Sequence, residues 1–151
     1  PKASPVTHAG VLLVRAVFSL TLLVIVVGTV VTGTGPHAGD QAAPRYNFDI
    51  RVVTWLHADL VIALCGAILA LYLLLKLAPI SSSPESRADH LKLVKTFIIL
   101  VLIQGGIGYL QYFTGVPIIL VGLHLLGLCL VWLTACKLLV RTSSKRDAKL
   151  A

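Results

Sequence analysis

The chain has 151 residues, of which 57% are hydrophobic and only 13% are charged, with a mean hydropathy of +0.92. A soluble domain carries roughly a quarter charged residues, so this composition excludes an ordinary soluble fold. The formal net charge of +7 invites a nucleic-acid interpretation. The positions of the basic residues argue against it, because they cluster between or beside long apolar runs.

Four apolar segments are each long enough to cross a bilayer as a helix, which takes about 20 residues. They cover about 10–31, 53–77, 96–113 and 118–140. The runs are continuous rather than alternating, and backbone groups in lipid must be bonded within the segment, so helices are predicted and barrel strands are not. The sequence therefore predicts an all-α membrane protein, with a single four-helix transmembrane domain over 1–151.

The first segment is too long for a signal peptide, follows a weakly basic start and lacks a small-residue cleavage pattern. The connection after it reads TGTGPHAGDQAAPRYNFDIR, and its Gly, Pro and Asp residues predict irregular backbone. At about 20 residues it is long for a compact protein, and such loops are typically functional lids or disordered. Its histidine, His37, is predicted either to cover the edge of a bound group or to be solvated.

The second and fourth segments each contain a histidine one to two turns from the end that faces this connection. An imidazole in hydrocarbon is costly to leave unpaired, and an ionisable residue within a membrane is by default a functional-site hypothesis. His57 and His124, at matching depth on separate helices, predict axial ligation of one heme iron, because iron takes neutral imidazole nitrogen and a bis-histidine site favours electron transfer. The alternative is that each histidine only hydrogen-bonds to a neighbouring helix.

Neighbouring positions agree with a heme site. Gly127, three residues beyond His124, is predicted to leave room for a macrocycle on the same face. Arg51, just outside the second segment, is predicted to pair with the heme propionates, because a guanidinium matches carboxylates bidentately. An interfacial anchor is the alternative for Arg51, and Arg45 is a weaker candidate for the same role. The face of the second segment that carries the histidine also contains Thr54, Leu60, Val61 and Leu64.

The third segment contains the stretch QGGIGYLQ, with Gln104 and Gln111 on one face. Small residues let membrane helices approach closely and amides bond across helices, so packing is predicted, with a cofactor contact as the alternative.

The third segment ends in Thr-Gly, as the first one does. Segments 1–2 and 3–4 are therefore predicted to be two copies of one unit in a parallel repeat, forming a four-helix bundle with a cofactor between facing helices.

The remaining polar residues have plainer predictions. The stretch SSSPESRADH is predicted to be a polar linker, the tail TSSKRDAKLA to be frayed, and both His8 and His90 to be solvated. Asp59 is predicted to lie near the outer interface or to bond a partner chain. The cysteines are predicted to be small buried hydrophobic side chains, and neither disulfide partners nor metal ligands. They are Cys65, Cys129 and Cys136.

The basic residues also predict the orientation in the membrane. Most lie at the N-terminus, in the 2–3 connection or in the C-terminal tail, whereas the 1–2 connection has only Arg45 and Arg51. By the positive-inside rule, both termini of this multi-pass chain are predicted on the cytoplasmic side of the cell membrane, with the heme site toward the outer side. The basic excess is thus a topology signal, aided by anionic lipid, and no nucleic-acid partner is predicted.

Three stretches, TGTGPHAGD, LHADL around His57, and QGGIGYLQYFTGVPIILVGLHLLG around His124, together resemble the C-terminal half of heme A synthase. That membrane enzyme of heme biosynthesis oxidises a methyl group of heme O to the formyl group of heme A. The resemblance extends from about Val31 to Gly127. It implies one half of an eight-helix, pseudo-two-fold architecture, in which this half holds heme b and the other half binds the heme substrate beside a glutamate.

The resemblance implies His57 and His124 as the heme b ligands. The substrate-site glutamate does not carry over, because the only Glu is Glu85 in the 2–3 connection, and the external cysteine pair of some relatives is missing as well. The implied function is the oxidoreductase's electron-relay half, with heme b as cofactor, heme O as the substrate of the whole enzyme, and an electron acceptor that the sequence does not identify.

The expected partner is the missing N-terminal half or a second copy of the chain. Because the first residue is Pro rather than Met, we expect a piece of a longer protein. Two alternatives stay open. One is a non-catalytic b-type cytochrome or a heme-carrying subunit of a membrane respiratory assembly, and the other is a structural membrane subunit without heme.

Overall fold

The structure, a computed structural model, describes residues 8–36, 42, 44–77 and 84–147. Within these ranges the chain forms four α-helices and no strand. All four helices are long and apolar enough to cross a membrane, which confirms the predicted all-α fold at this level. In chain order they are α1 (His8–Thr34), α2 (Ile50–Leu77), α3 (Pro84–Phe113) and α4 (Ile118–Asp147).

The helices extend beyond the apolar segments at both polar stretches. α3 begins at Pro84 rather than near 96, and α4 continues to Asp147 rather than ending near 140. The linker and tail predictions are therefore wrong over 84–90 and 142–147, and their other residues lie outside the described ranges. Hydropathy marks the part of a helix that lipid can cover, whereas Pro84 in the first turn and Glu85 beside it favour a helix start in water.

Each helix packs against the next one along the chain, and α4 returns to pack against α1. The rings of Phe18 and Trp132 join α1 to α4, with centroids 5.1 Å apart. The pairs α1–α3 and α2–α4 face each other diagonally without direct packing among the described residues. Successive helices are antiparallel, so α2 and α4 run parallel. We call the end where α1 and α3 finish the loop end, and the opposite one the terminal end.

The apolar core lies toward the terminal end of the bundle. Every member is at least ten residues from the loop end of its own helix. Nearer the loop end, Val53 is the one described apolar side chain that is comparably buried, so other side chains line the interior there. The core consists of Val14, Val17, Val24, Leu64, Ile68, Leu71, Leu75, Val94, Phe97, Val101, Val131, Ala135 and Leu138.

Side chains of α3 fasten it to α2 at the terminal end. Arg87 donates from Nε to the carbonyl of Leu75 at 2.6 Å and from Nη2 to the carbonyl of Lys76. The last carbonyls of a helix have no partner within it, and a cation there also interacts favourably with the helix dipole. His90, one turn further along, is 2% exposed, with its Nδ1 2.9 Å from the carbonyl oxygen of Ser86. The prediction of a solvated His90 is therefore wrong, because this stretch is packed helix rather than free linker.

Two local motifs set where α2 and α4 begin. Asp49 is the N-cap of α2, since its Oδ1 accepts a hydrogen bond from the N–H of Arg51 at 2.8 Å. Between α3 and α4, Gly115 and Val116 have φ angles of 75° and 59°. A branched residue in this left-handed region is strained, because its Cβ crowds the backbone. The resulting turn is sharp, and it places the start of α4 beside the end of α3.

The two ends of the bundle differ in surface chemistry. Exposed aromatic side chains surround the loop end, as is typical of a membrane–water interface. They are Tyr46, Phe48, Trp55, Tyr109, Tyr112 and Phe113. Apart from Arg51, the described basic side chains of the helices lie in the terminal half instead, namely Arg15, Lys76, Arg87, Lys92, Lys95, Lys137 and Arg141.

Candidate functional site

The two membrane histidines lie at the same level of the bundle. His57 is seven residues after the start of α2, and His124 is six residues after the start of α4. At about 1.5 Å per residue, each lies about 10 Å from the loop end. Both imidazoles are half-buried, and they stand on α2 and α4, the diagonal and parallel helices of the bundle.

Each imidazole lies against a glycine of the preceding helix. A Cβ added at Gly28 would stand 3.0 Å from Cε1 of His57, and one added at Gly108 would stand 3.7 Å from Cε1 of His124. The missing side chains let each ring approach the backbone of its neighbouring helix closely. A glycine–histidine contact thus occurs both between α1 and α2 and between α3 and α4.

Three buried polar atoms at this level of the bundle have no hydrogen-bond partner. They are Nδ1 of His57, Nδ1 of His124 and Oε1 of Gln104. Buried polar groups are normally bonded, and each unpaired one costs about 1–3 kcal/mol. His57 interacts with the backbone of Val24 on α1. This contact with a neighbouring helix leaves Nδ1 of His57 and Nδ1 of His124 without a hydrogen-bond partner. The unpaired nitrogen atoms leave donor or acceptor capacity for a bound group.

Gln104 occupies the space that the sequence predicted for a macrocycle. A Cβ added at Gly127 would overlap the side-chain amide of Gln104, so this amide of α3 lies directly on α4, one turn beyond His124. The prediction for Gly127 is therefore wrong, because the notch in α4 receives a side chain from the adjacent helix. Gln104 has the interhelical packing contact, and its free Oε1 also borders the histidine site. Gln111 is half-buried two turns nearer the loop end.

We expect Gly127→Ala to lower the free energy of unfolding by about 1 kcal/mol, because the Gln104 amide must leave its notch. Chemical unfolding in detergent micelles would measure the change. Gly122→Ala is the control, since a Cβ at Gly122 would meet nothing within 4 Å. The double variant Gly127→Ala/Gln104→Ala should recover part of the loss, because contacting residues are coupled. Strict additivity in this cycle would contradict the contact.

The two arginines at the loop end are placed differently. Arg51 is exposed in the first turn of α2, six residues and therefore about 120° around the helix from His57. Its role beside a heme stays a prediction. Arg45 is half-buried, its Nη2 donates to the carbonyl of Pro36 at 3.2 Å, and its Nη1 is buried without a hydrogen-bond partner. His37 lies outside the described residues.

Asp59, Glu85 and the three cysteines have other positions in the bundle. Asp59 is exposed, and two residues after His57 correspond to about 200° around the helix, the side turned away from the ring. Glu85 is at the terminal end. Among the free cysteines, Cys65 and Cys136 are half-buried, whereas Cys129 is exposed. The predicted burial of Cys129 is wrong because its side of α4 faces outward.

The number of ligands that a heme requires from the protein agrees with the residues at this site. In the described part of the chain, no group of three or more His, Cys, Asp or Glu side chains converges as a metal site. A heme requires only axial ligands from the protein, because the porphyrin itself binds the iron in its plane. His57 and His124 are residues of the ligand type that a heme takes, at one level of the bundle and each with an unpaired Nδ1.

Comparisons of the chain with protein-family models, curated proteins and solved structures find no match.

The contact between Gly28 and the His57 ring is not predicted from the sequence. A single glycine in an apolar helix is a weak signal, although it lies one turn before the Thr-Gly pair that ends the segment. Knowing which side of α1 faces α2 requires the packed bundle.

Proposed function

We propose that the chain binds one heme b between His57 and His124 and acts as the heme b-carrying, electron-relay half of heme A synthase. One observation carries the heme assignment. Two imidazoles stand at equal depth on diagonal, parallel helices, with unpaired Nδ1 atoms, in the part of the bundle that the apolar core does not fill. A heme held by these two residues would supply one-electron transfer.

The chain's own residues have defined tasks in this proposal. His57 and His124 would hold the iron, and the contacts with Gly28 and Gly108 restrict how each ring can turn. The Gln104 amide, fixed in its notch on α4, places a polar group beside the His124 side of the site. Partners next to a ligating imidazole fix its orientation and tune the metal, so we assign Gln104 a positioning role.

The catalytic assignment depends on the resemblance of the motifs to heme A synthase. In that enzyme a methyl group of heme O becomes a formyl group, and electrons must be taken away from the substrate. Glu85, the only Glu, lies at the terminal end, far from both histidines, so we assign the substrate site to a partner. That partner is an N-terminal half or a second copy, completing the eight-helix, pseudo-two-fold assembly.

The two ends of the bundle support the proposed orientation. The terminal end is basic and the loop end has the exposed aromatic side chains. By the positive-inside rule, we propose that both termini are cytoplasmic and that the heme site faces the outer side of the cell membrane.

A non-catalytic b-type cytochrome, or a heme-carrying subunit of a membrane respiratory assembly, is the second candidate. The position of Glu85 favours it, since no Glu is available at the histidine level in this chain. The two candidates differ in turnover. Conversion of added heme O to heme A by the chain with its partner half supports the synthase, whereas bound heme b without conversion supports the cytochrome.

Heme content of the purified chain tests the shared part of the proposal. We expect about one heme b per chain after reconstitution, with the absorption and electron paramagnetic resonance spectra of low-spin iron, because two nitrogen ligands bind it axially. Pyridine hemochromogen analysis gives the stoichiometry and the heme type. A folded, helical sample without Soret absorbance after heme addition would contradict the proposal and favour a structural subunit.

A further inference from the structure

Arg45 lies in a stretch of the 1–2 connection that is fixed to the end of α1. The N–H of the adjacent Tyr46 donates to the carbonyl of Gly33 at 3.0 Å. The Tyr46 ring also lies so close to Gly33 that an added Cβ would overlap it. Arg45 itself donates from Nη2 to the carbonyl of Pro36 at 3.2 Å. These contacts hold the guanidinium group over the last turn of α1.

The other terminal nitrogen of Arg45 is buried and has no hydrogen-bond partner. A guanidinium stays charged, and removing part of it from water without a counter-charge is unfavourable. Its planar fork matches the geometry of a carboxylate or a phosphate, and such charge-assisted bonds are strong. The free Nη1 is therefore a binding position for an anionic oxygen.

The position of Arg45 relates it to the histidine site. Gly33 is five residues beyond Gly28, on which His57 lies. At about 1.5 Å per residue, the segment that holds Arg45 is therefore about 8 Å nearer the loop end than the imidazole. A macrocycle held between the two imidazoles, with its acidic edge turned toward the loop end, would bring a carboxylate toward Arg45. Arg51, by contrast, is exposed on the outer surface of α2.

We propose that Arg45, and not Arg51, binds a propionate carboxylate of the heme held by His57 and His124. This inference rests on the proposed function and names the residue that recognises the acidic edge of the cofactor. Arg45 thereby acts as a positioning residue, since it fixes which edge of the macrocycle faces the loop end. Arg51 is left as an interfacial cation in the first turn of α2.

Heme binding by Arg45→Gln, with Arg51→Gln as the matched control, tests this proposal. The whole chain is placed in phosphatidylcholine nanodiscs and titrated with heme b, or with heme b dimethyl ester, which lacks free carboxylates. We expect Arg45→Gln to raise the dissociation constant for heme b about tenfold, as loss of one charge-assisted bond predicts, and Arg51→Gln to leave it within about twofold. The ester should bind to the wild type and to Arg45→Gln equally, and Arg45→Lys should recover part of the affinity for heme b.

Two results would overturn the inference. One is an unchanged affinity of Arg45→Gln for heme b, and the other is an equal loss for heme b and its ester, which would indicate a general disturbance of the loop. If the wild type binds with a low-spin spectrum in either case, only the role of Arg45 is wrong. If the wild type gives no low-spin spectrum with heme b or its ester, the proposed function fails as well.

An anionic lipid headgroup offers the same chemistry as a propionate, so the lipid is varied separately. Replacing part of the phosphatidylcholine with phosphatidylglycerol should leave the heme b affinity of the wild type unchanged. If phosphatidylglycerol instead weakens wild-type heme binding to the level of Arg45→Gln, the headgroup is the ligand of Arg45 and the inference is overturned.

Discussion

Replacing either His57 or His124 with alanine will abolish the low-spin spectrum of heme b in the purified chain. In the proposed site each imidazole would supply one ligand to the iron, and the two rings stand on diagonal helices at equal depth. Removal of one imidazole would leave the iron without one of its two protein ligands, so the absorption and electron paramagnetic resonance spectra should become high-spin. We also expect heme affinity to fall by at least about tenfold, the equivalent of one lost strong interaction.

The control for this experiment is His8→Ala, because His8 is exposed at the opposite, terminal end. The apo forms of both ligand variants should remain helical with little change in melting temperature. Each substitution removes a buried unpaired nitrogen atom, which offsets part of the lost packing. A low-spin spectrum that survives in both single variants would falsify the ligand assignment.

A larger side chain at Gly28 will displace the His57 ring and weaken heme binding. An added Cβ alone would already stand 3.0 Å from Cε1 of His57, and the two methyl groups of Gly28→Val add further overlap. Overpacking of a close contact costs about 1–3 kcal/mol, so we expect an affinity loss of about tenfold or more. Titration with heme b and the fraction of low-spin iron at saturation measure the effect.

The equivalent glycine on the other side of the site provides a matched control. A Cβ at Gly108 would be 3.7 Å from Cε1 of His124, an ordinary van der Waals distance. Gly108→Ala should therefore bind heme with nearly wild-type affinity, whereas Gly28→Ala should already show a measurable loss. If Gly108→Ala weakened heme binding more than Gly28→Ala, the assigned glycine–histidine contacts would be wrong, even if both histidines are ligands.

The helices and the histidine pair could be predicted from the sequence because both depend on local properties. Membrane-spanning segments follow from the length of continuous apolar runs, and depth follows from counting residues along a helix of fixed rise. The structure accordingly has four such helices, with His57 and His124 at matching depth. The start of α3 and the end of α4 do not follow from hydropathy, because helical hydrogen bonding continues past the apolar region.

Contacts across the bundle depended on the rotation of each helix about its axis, which periodicity in uniformly apolar segments does not define. Gly127 therefore receives Gln104 instead of a macrocycle, and Gly28 becomes the seat of His57. The same reasoning explains the burial of His90, since a polar residue becomes internal when its helix packs against another.

Local composition is enough to predict an all-helical chain with four segments long and apolar enough to cross a membrane, and two imidazoles one to two turns from the same end. Which small residues contact these rings, and that Arg45 rather than Arg51 has a buried, unpaired nitrogen atom, depends on how the helices pack. The physical reason is that hydropathy and helical rise act within one segment, whereas burial of a given side chain depends on what other segments bring against it.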